Sequence, residues 1–203
     1  MEPSPLSAEG HWAKVLLLGM EGSGKTTASL QMSAIEKRVF HLEERRTLNS
    51  EAVPMMYDIG GRCSARPYWR SGIEGKAALI FLVDCTDRQA LEFLRYEVMY
   101  ACDYGEGAPV LIFANKQDVS GACDTEEVKE SLGLDSLNTR PLKKHHLEEV
   151  SWHVCPCIAT KGEGIHQGFQ WLAKTLWPEK YGKCSLEATF SRSGWWSLLK
   201  PLL

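Results

Sequence analysis

The chain has 203 residues, room for one well-buried domain with extensions. Hydrophobic residues make up 44% and charged residues 24%, the balance of a globular protein and not of a disordered one. A net charge of -3 argues against a nucleic-acid binder driven by bulk charge, and the longest apolar run, Ala77 to Val83, falls far short of the roughly 18 residues that span a bilayer.

Residues 1–11 read as a flexible arm containing two prolines, two serines and a glycine, with none of the layout of a secretory signal. AKVLLLG (13–19) reads as a buried strand ending in glycine, and a helix is expected from Lys25 to about Lys37. RVFHLE (38–43) and AVPMMYD (52–58) suggest a strand pair, with Pro54 weakening the second or placing it at an edge. AALIFLVD (77–84) and APVLIFAN (108–115) are continuously apolar, as central parallel strands covered on both faces are. Residues 88–103 between them read as a helix. TEEVKESLGL (125–134) reads as a short helix with acidic residues in its first turn and Gly133 near its end. WHVCPCIAT (152–160) reads as a last strand, and GIHQGFQWLAKTLW (164–177) as an amphipathic helix. The alternation predicts an α/β domain with a mostly parallel sheet, whose ligand lies beyond the carboxyl ends of the strands. The seven scattered cysteines read as reduced thiols of a cytoplasmic protein.

The polar residues at those strand ends carry the chemistry. Gly19-Met20-Glu21-Gly22-Ser23-Gly24-Lys25-Thr26 satisfies the phosphate-loop pattern G-x-x-x-x-G-K-[ST] and lies between a strand and a helix. Its backbone N–H groups can wrap a phosphate, aided by the positive end of the helix. Lys25 can neutralise β- and γ-phosphate oxygens, and the Thr26 hydroxyl can ligate Mg²⁺. This loop alone does not separate ATPase, GTPase and small-molecule kinase.

Asn115-Lys116-Gln117-Asp118 follows a strongly apolar run. A carboxylate there can accept hydrogen bonds from the N1–H and N2–H₂ edge of guanine, a donor pair that adenine lacks, so adenine would leave it unpaired. The Lys116 stem can cover the base plane. Ala159-Thr160-Lys161 follows the next strand, where a backbone N–H can reach the guanine carbonyl.

Together these residues resemble the small GTPases and, within them, the Arf and Arf-like (ADP-ribosylation factor) family. The resemblance covers residues 12 to about 177 and rests on GKTT (24–27), DIGG (58–61), RPYW (66–69), FLVDCTDR (81–88), NKQD (115–118) and IAT (158–160). It implies a Ras-like fold and a GTP/GDP switch with Mg²⁺ that meets effectors, exchange factors and activating proteins, in trafficking in many members. It also implies site roles. Gly19 to Lys25, Thr26 and Thr27 would hold phosphate, with Gly60 and Gly61 sensing the γ-phosphate. Thr26 and, through water, Asp58 would hold Mg²⁺. Asn115, Lys116 and Asp118 would hold guanine, supported by Ala159 and Thr160.

The departures from the family shape the expectation. Arg62 stands where the family carries the Gln that orients the attacking water; a permanent cation with donors only cannot accept a hydrogen bond from water. Weak intrinsic hydrolysis is expected, with a switch or scaffold role. The rivals are a conventional hydrolysing trafficking switch and, against NKQD, a small-molecule kinase. The first switch lacks Thr-x-Gly-Phe, and Thr47, its single threonine, falls too near Asp58 to replace it. Glu2 leaves no N-myristoylation site, so a peripheral membrane contact would need another anchor. PLKKHHLEEVS (141–151) reads as a solvated insertion. His145, His146, His153, Cys155 and Cys157 match no zinc spacing and read as ordinary loop and strand residues. The extension 178–203 ends in the aromatic, apolar GWWSLLKPLL, which suits a membrane interface, a partner or the domain itself. Tyr68 and Trp69 read as packing beneath the second switch.

Overall fold

The computed structural model describes residues 12–39, 53–62, 64–138 and 150–176. The arm 1–11, the segment holding Thr47, the insertion up to residue 149 with His145 and His146, and the extension 178–203 lie outside these residues.

Among the described residues, five strands form one sheet in the order β2-β1-β3-β4-β5. They are β1 (Trp12–Leu18), β2 (Val53–Asp58), β3 (Ala78–Asp84), β4 (Val110–Asn115) and β5 (Trp152–Pro156), and the four pairings among them are parallel. The helices are α1 (Lys25–Val39), α2 (Pro67–Ile73), α3 (Arg88–Tyr104), α4 (Thr125–Leu132) and α5 (Ile165–Leu176). This is a Ras-like α/β fold. Pro54 sits in β2, which is outermost among the described strands.

The apolar runs serve two cores because successive strand residues face opposite ways. Leu16, Leu18, Leu79, Phe81, Val110 and Ile112 pack with residues of α2, α3 and α4, among them Trp69, Leu94 and Val128. Val15, Leu17, Ile80, Leu82, Leu111 and Phe113 pack with α1 and α5 through Met32, Phe169 and Leu172. Burial on both faces is why these strands lack a polar alternation.

Three expectations change. Arg38 and Val39 complete α1 instead of opening a strand, since nothing at Lys37–Val39 breaks a helix; the rest of RVFHLE lies outside the described residues. The last strand stops at Pro156. Ile158 then pairs with Glu163 in an isolated bridge, and Lys161 N–H donates to Ile158 O at 3.0 Å, which turns the chain off the sheet. Finally, RPYW opens a helix, α2, with Pro67 at its first turn, where a missing N–H costs nothing. Tyr68 and Trp69 part company there: Trp69 is fully buried and Tyr68 is 66% exposed.

The strand order reverses direction at β1, with β2 on one side and β3 on the other. A ligand of an open α/β sheet binds at such a switch point. The glycine-rich loop follows β1 and opens α1 there.

Candidate functional site

Gly19–Gly24 links β1 to α1. Gly24 has φ +94, and a Cβ on it would lie 2.6 Å from Asn115 Nδ2, so only glycine fits this approach. Lys25 is buried, and its Nζ donates to Gly19 O at 2.7 Å and Met20 O at 3.0 Å. Burial lowers the Lys25 pKa, while Asp58 and Glu21 pull it back up. The Ser23 hydroxyl is buried and has no hydrogen-bond partner among the described residues. Thr26 is exposed and Thr27 half-buried in the first turn of α1. An ammonium, an orphan hydroxyl and a helix N-terminus at a glycine loop fit a phosphate.

Asp58 ends β2 and pairs in register with Leu17 of β1, so it is exposed beside the loop. Thr26 and Asp58 thus offer oxygen donors of the kind a hard divalent cation takes. Gly61 touches the loop itself. A Cβ there would lie 2.3 Å from Gly19 O and 2.5 Å from Glu21 N. Trp69 Nε1 donates to Gly60 O at 3.0 Å, and Arg66 Nε donates to Gly61 O at 3.4 Å. Arg62 Nε donates to Glu21 Oε1 at 3.2 Å, in an ion pair across the mouth of the loop.

α2 is in turn fixed to α3. Arg70 donates to both carboxylate oxygens of Glu97, at 2.9 and 3.3 Å. Its guanidinium lies 4.8 Å from the centre of the Tyr100 ring, and that of Arg66 lies 4.7 Å from the centre of Phe93. The Glu97 hydrogen bond raises the Arg70 pKa.

The other end of the site is built around Asn115. It is buried; its Nδ2 donates to Ser23 O at 2.8 Å, and its Oδ1 accepts from Ala159 N–H at 2.9 Å. One side chain therefore ties the phosphate loop, the end of β4 and the turn after β5. Lys116 has φ +67, and its Nζ donates to Asp84 at 2.5 Å. Burial alone would raise the Asp84 carboxyl, but bonds from Lys116 and from the Thr86 hydroxyl and N–H hold it below its usual range. Asp118 and Thr160 lie exposed in neighbouring turns. Gln117 Nε2 donates to Cys123 O at 3.0 Å and braces that turn from below. Beneath it, burial pushes the Cys85 thiol up to about 12 and Cys157 also upward, so both stay protonated packing groups.

The fold therefore gathers the expected residues at the carboxyl ends of the strands. Asn115 also bonds backbone on either side, at Ser23 O and Ala159 N–H, so it ties together the loops that carry the expected guanine residues. Sequence reasoning missed Asp84 as the partner of Lys116, the orphan Ser23 hydroxyl, and the Arg70–Glu97 brace. For Asp84 a signal exists in hindsight: it closes an apolar strand, as Asp58 and Asn115 do.

A parallel α/β sheet with a glycine loop at its switch point and a polar cluster past β4 and β5 defines a phosphate-loop domain of the small-GTPase class. The pattern of the ADP-ribosylation factor family matches residues 4–176. ADP-ribosylation factor-like protein 3 of Caenorhabditis elegans is 36% identical over 181 residues, 85% of this chain and 92% of that protein. ADP-ribosylation factor 3 of Arabidopsis thaliana is 36% identical over 172 residues, 81% of this chain and 88% of that one. The solved Arl6 BBS3 small GTPase of Trypanosoma brucei, with bound GppNp, matches the fold with a TM-score of 0.61 at 24% identity, over 81% of this chain and 97% of that one. The chain belongs to the ADP-ribosylation factor family.

Proposed function

We propose that the chain is a guanine-nucleotide switch that binds GTP and GDP and hydrolyses GTP only weakly by itself. Gly19 to Gly24, with Thr27, cradle phosphate by their backbone, Lys25 neutralises it, and Gly60 and Gly61 answer to the γ-phosphate. Thr26 and, through water, Asp58 would hold Mg²⁺, which would neutralise charge on the phosphates. Asp118 reads the guanine edge, Lys116 covers the base with its tip held by Asp84, and Asn115, Ala159 and Thr160 complete the guanine site, with Asn115 also bonding the backbone of both neighbouring loops.

The observation that carries weak hydrolysis is Arg62. It stands directly after Gly61, against the phosphate loop, and its guanidinium has donors only. It can meet phosphate charge but cannot accept a proton of the attacking water. Effectors, exchange factors and activating proteins follow from the switch role, and an activating protein would have to supply the missing acceptor. Localisation in the cytoplasm with peripheral membrane contact remains part of this reading; among the described residues no helix is long and apolar enough to cross a membrane.

The test is to purify the protein, denature it and identify the released nucleotide by chromatography, then follow one turnover of loaded GTP. Bound GTP, or GDP with very slow single turnover, is the expected result. An ordinary hydrolysis rate removes the weak-hydrolysis claim and leaves the guanine site standing. An adenine nucleotide, or no affinity for guanine nucleotide, removes the site as well.

A further inference from the structure

Glu21 and Arg62 are 41 positions apart and meet across the mouth of the phosphate loop at 3.2 Å. They stand on loops that leave two paired strands, β1 and β2, side by side. Their stems are held by backbone. Gly61 is buried against Gly19–Glu21, and the carbonyls of Gly60 and Gly61 are tied back to Trp69 and Arg66 of the α2 region. The side chains themselves are 79% and 65% exposed for Arg62 and Glu21, so they are free to change partner. Among the described residues, the charges at this mouth include the cations Lys25 and Arg62 and the carboxylates Glu21 and Asp58. Lys25 is buried and donates into the loop, whereas Arg62 is the outer cation and is neutralised by Glu21.

We propose that Glu21 sets the preference between nucleoside triphosphate and diphosphate, by competing with the terminal phosphate for Arg62. This rests on the guanine-nucleotide reading above. A triphosphate adds negative charge at the mouth, next to Gly61. Glu21 opposes it twice: it repels that charge directly, and it occupies the guanidinium that would otherwise meet it. A diphosphate, held by Lys25 and the loop backbone, leaves the Glu21–Arg62 pair closed. An exposed pair of this kind is weak, so the bias is a modest factor that salt reduces. Glu21 is in this sense a specificity-determining residue, and Arg62 is the group it acts through.

The test measures dissociation constants for GDP and for the non-hydrolysable GppNp on the full chain, wild type, E21Q, R62Q and the double variant, at low and high salt. E21Q should raise the GppNp-to-GDP affinity ratio about fivefold at low salt, with a smaller rise at high salt. R62Q should lower the ratio, and E21Q made on top of R62Q should recover clearly less than fivefold. Melting temperatures should stay close to wild type, since both side chains are exposed. The proposal is overturned if E21Q changes both affinities equally, or if its effect is the same with and without Arg62. If the wild type binds neither nucleotide, the guanine-nucleotide reading itself fails and takes this one with it.

Discussion

The two ends of the site are built by opposite means. At the base end, Asn115 is 3% exposed and bonds the backbone of two other loops at 2.8 and 2.9 Å. At the phosphate mouth, the loop after β2 is joined to the phosphate loop by an ion pair whose side chains are 79% and 65% exposed. A buried neutral amide bonding backbone is not screened by salt and costs its full desolvation penalty to break. An exposed pair is screened and is worth little. The base end therefore reads as a fixed frame and the mouth as an adjustable one, in the same sheet with β3 between them.

The hardest test of the fixed frame is Asn115→Ala. It leaves Ser23 O and Ala159 N–H without their partner, and the two losses together should cost about 3 kcal/mol. Thermal unfolding should show that loss, and affinity for GDP and GppNp should fall together by a similar factor. A variant that keeps wild-type stability would mean the strut is decorative. Gly61→Ala tests the mouth. Its Cβ would lie 2.3 Å from Gly19 O, so the loop after β2 must move off the phosphate loop at a cost of about 2 kcal/mol. GppNp affinity should fall about tenfold, while GDP affinity stays within about twofold. Equal losses for both nucleotides would mean that the contact serves the loop as a whole and not the mouth. Arg70→Ala acts from farther away, by freeing α2 from α3. It strands the buried carboxylate of Glu97, but Arg70 is itself half-exposed, so about 1 kcal/mol is expected. That is a drop of about 2–4 °C in Tm. An unchanged Tm would show that Trp69 and Ile73 hold α2 without the ion pair.

This contrast also explains what was readable beforehand. The central strands were legible because burial on both faces leaves an unbroken apolar run, as in β3 and β4. The phosphate loop was legible because its chemistry is local. α2 was not: seven residues are too few for a helical period to stand out, and Pro67 reads as a breaker until its place in the first turn is known. The strut made by Asn115 was not legible, because it depends on where Ser23 and Ala159 lie, 92 and 44 positions away. Asp84 meets Lys116 only through the register that sets it beside Asn115. The Arg62–Glu21 pair needed the pairing of β1 with β2. For Asn115, Asp84 and the Arg62–Glu21 pair the missing information was topology, not residue chemistry.

The smallest effect probes the frame from outside the site. His153 lies on β5, the other outermost strand described, and its ring stacks on Trp171 of α5 at 5.2 Å. Burial, and then the nearby Lys129, lower its pKa below the ordinary 6.5. The unfolded chain therefore takes up this proton more readily than the folded one. The contribution of neutral His153 to stability is present above about pH 6.5 and is lost as pH falls through that value toward the folded pKa. Asp84 acts in the same direction but lower. Its carboxyl is held below the ordinary 3.8, so its contribution stays intact until the medium is more acidic than the range of His153. Melting curves of the wild type and His153→Gln should therefore converge or cross between about pH 7.5 and 5, with the variant losing less on acidification. Parallel curves over that interval would place the acid sensitivity elsewhere. A difference that grows only below about pH 4 would assign it to carboxylates such as Asp84, and so to the base end of the site itself.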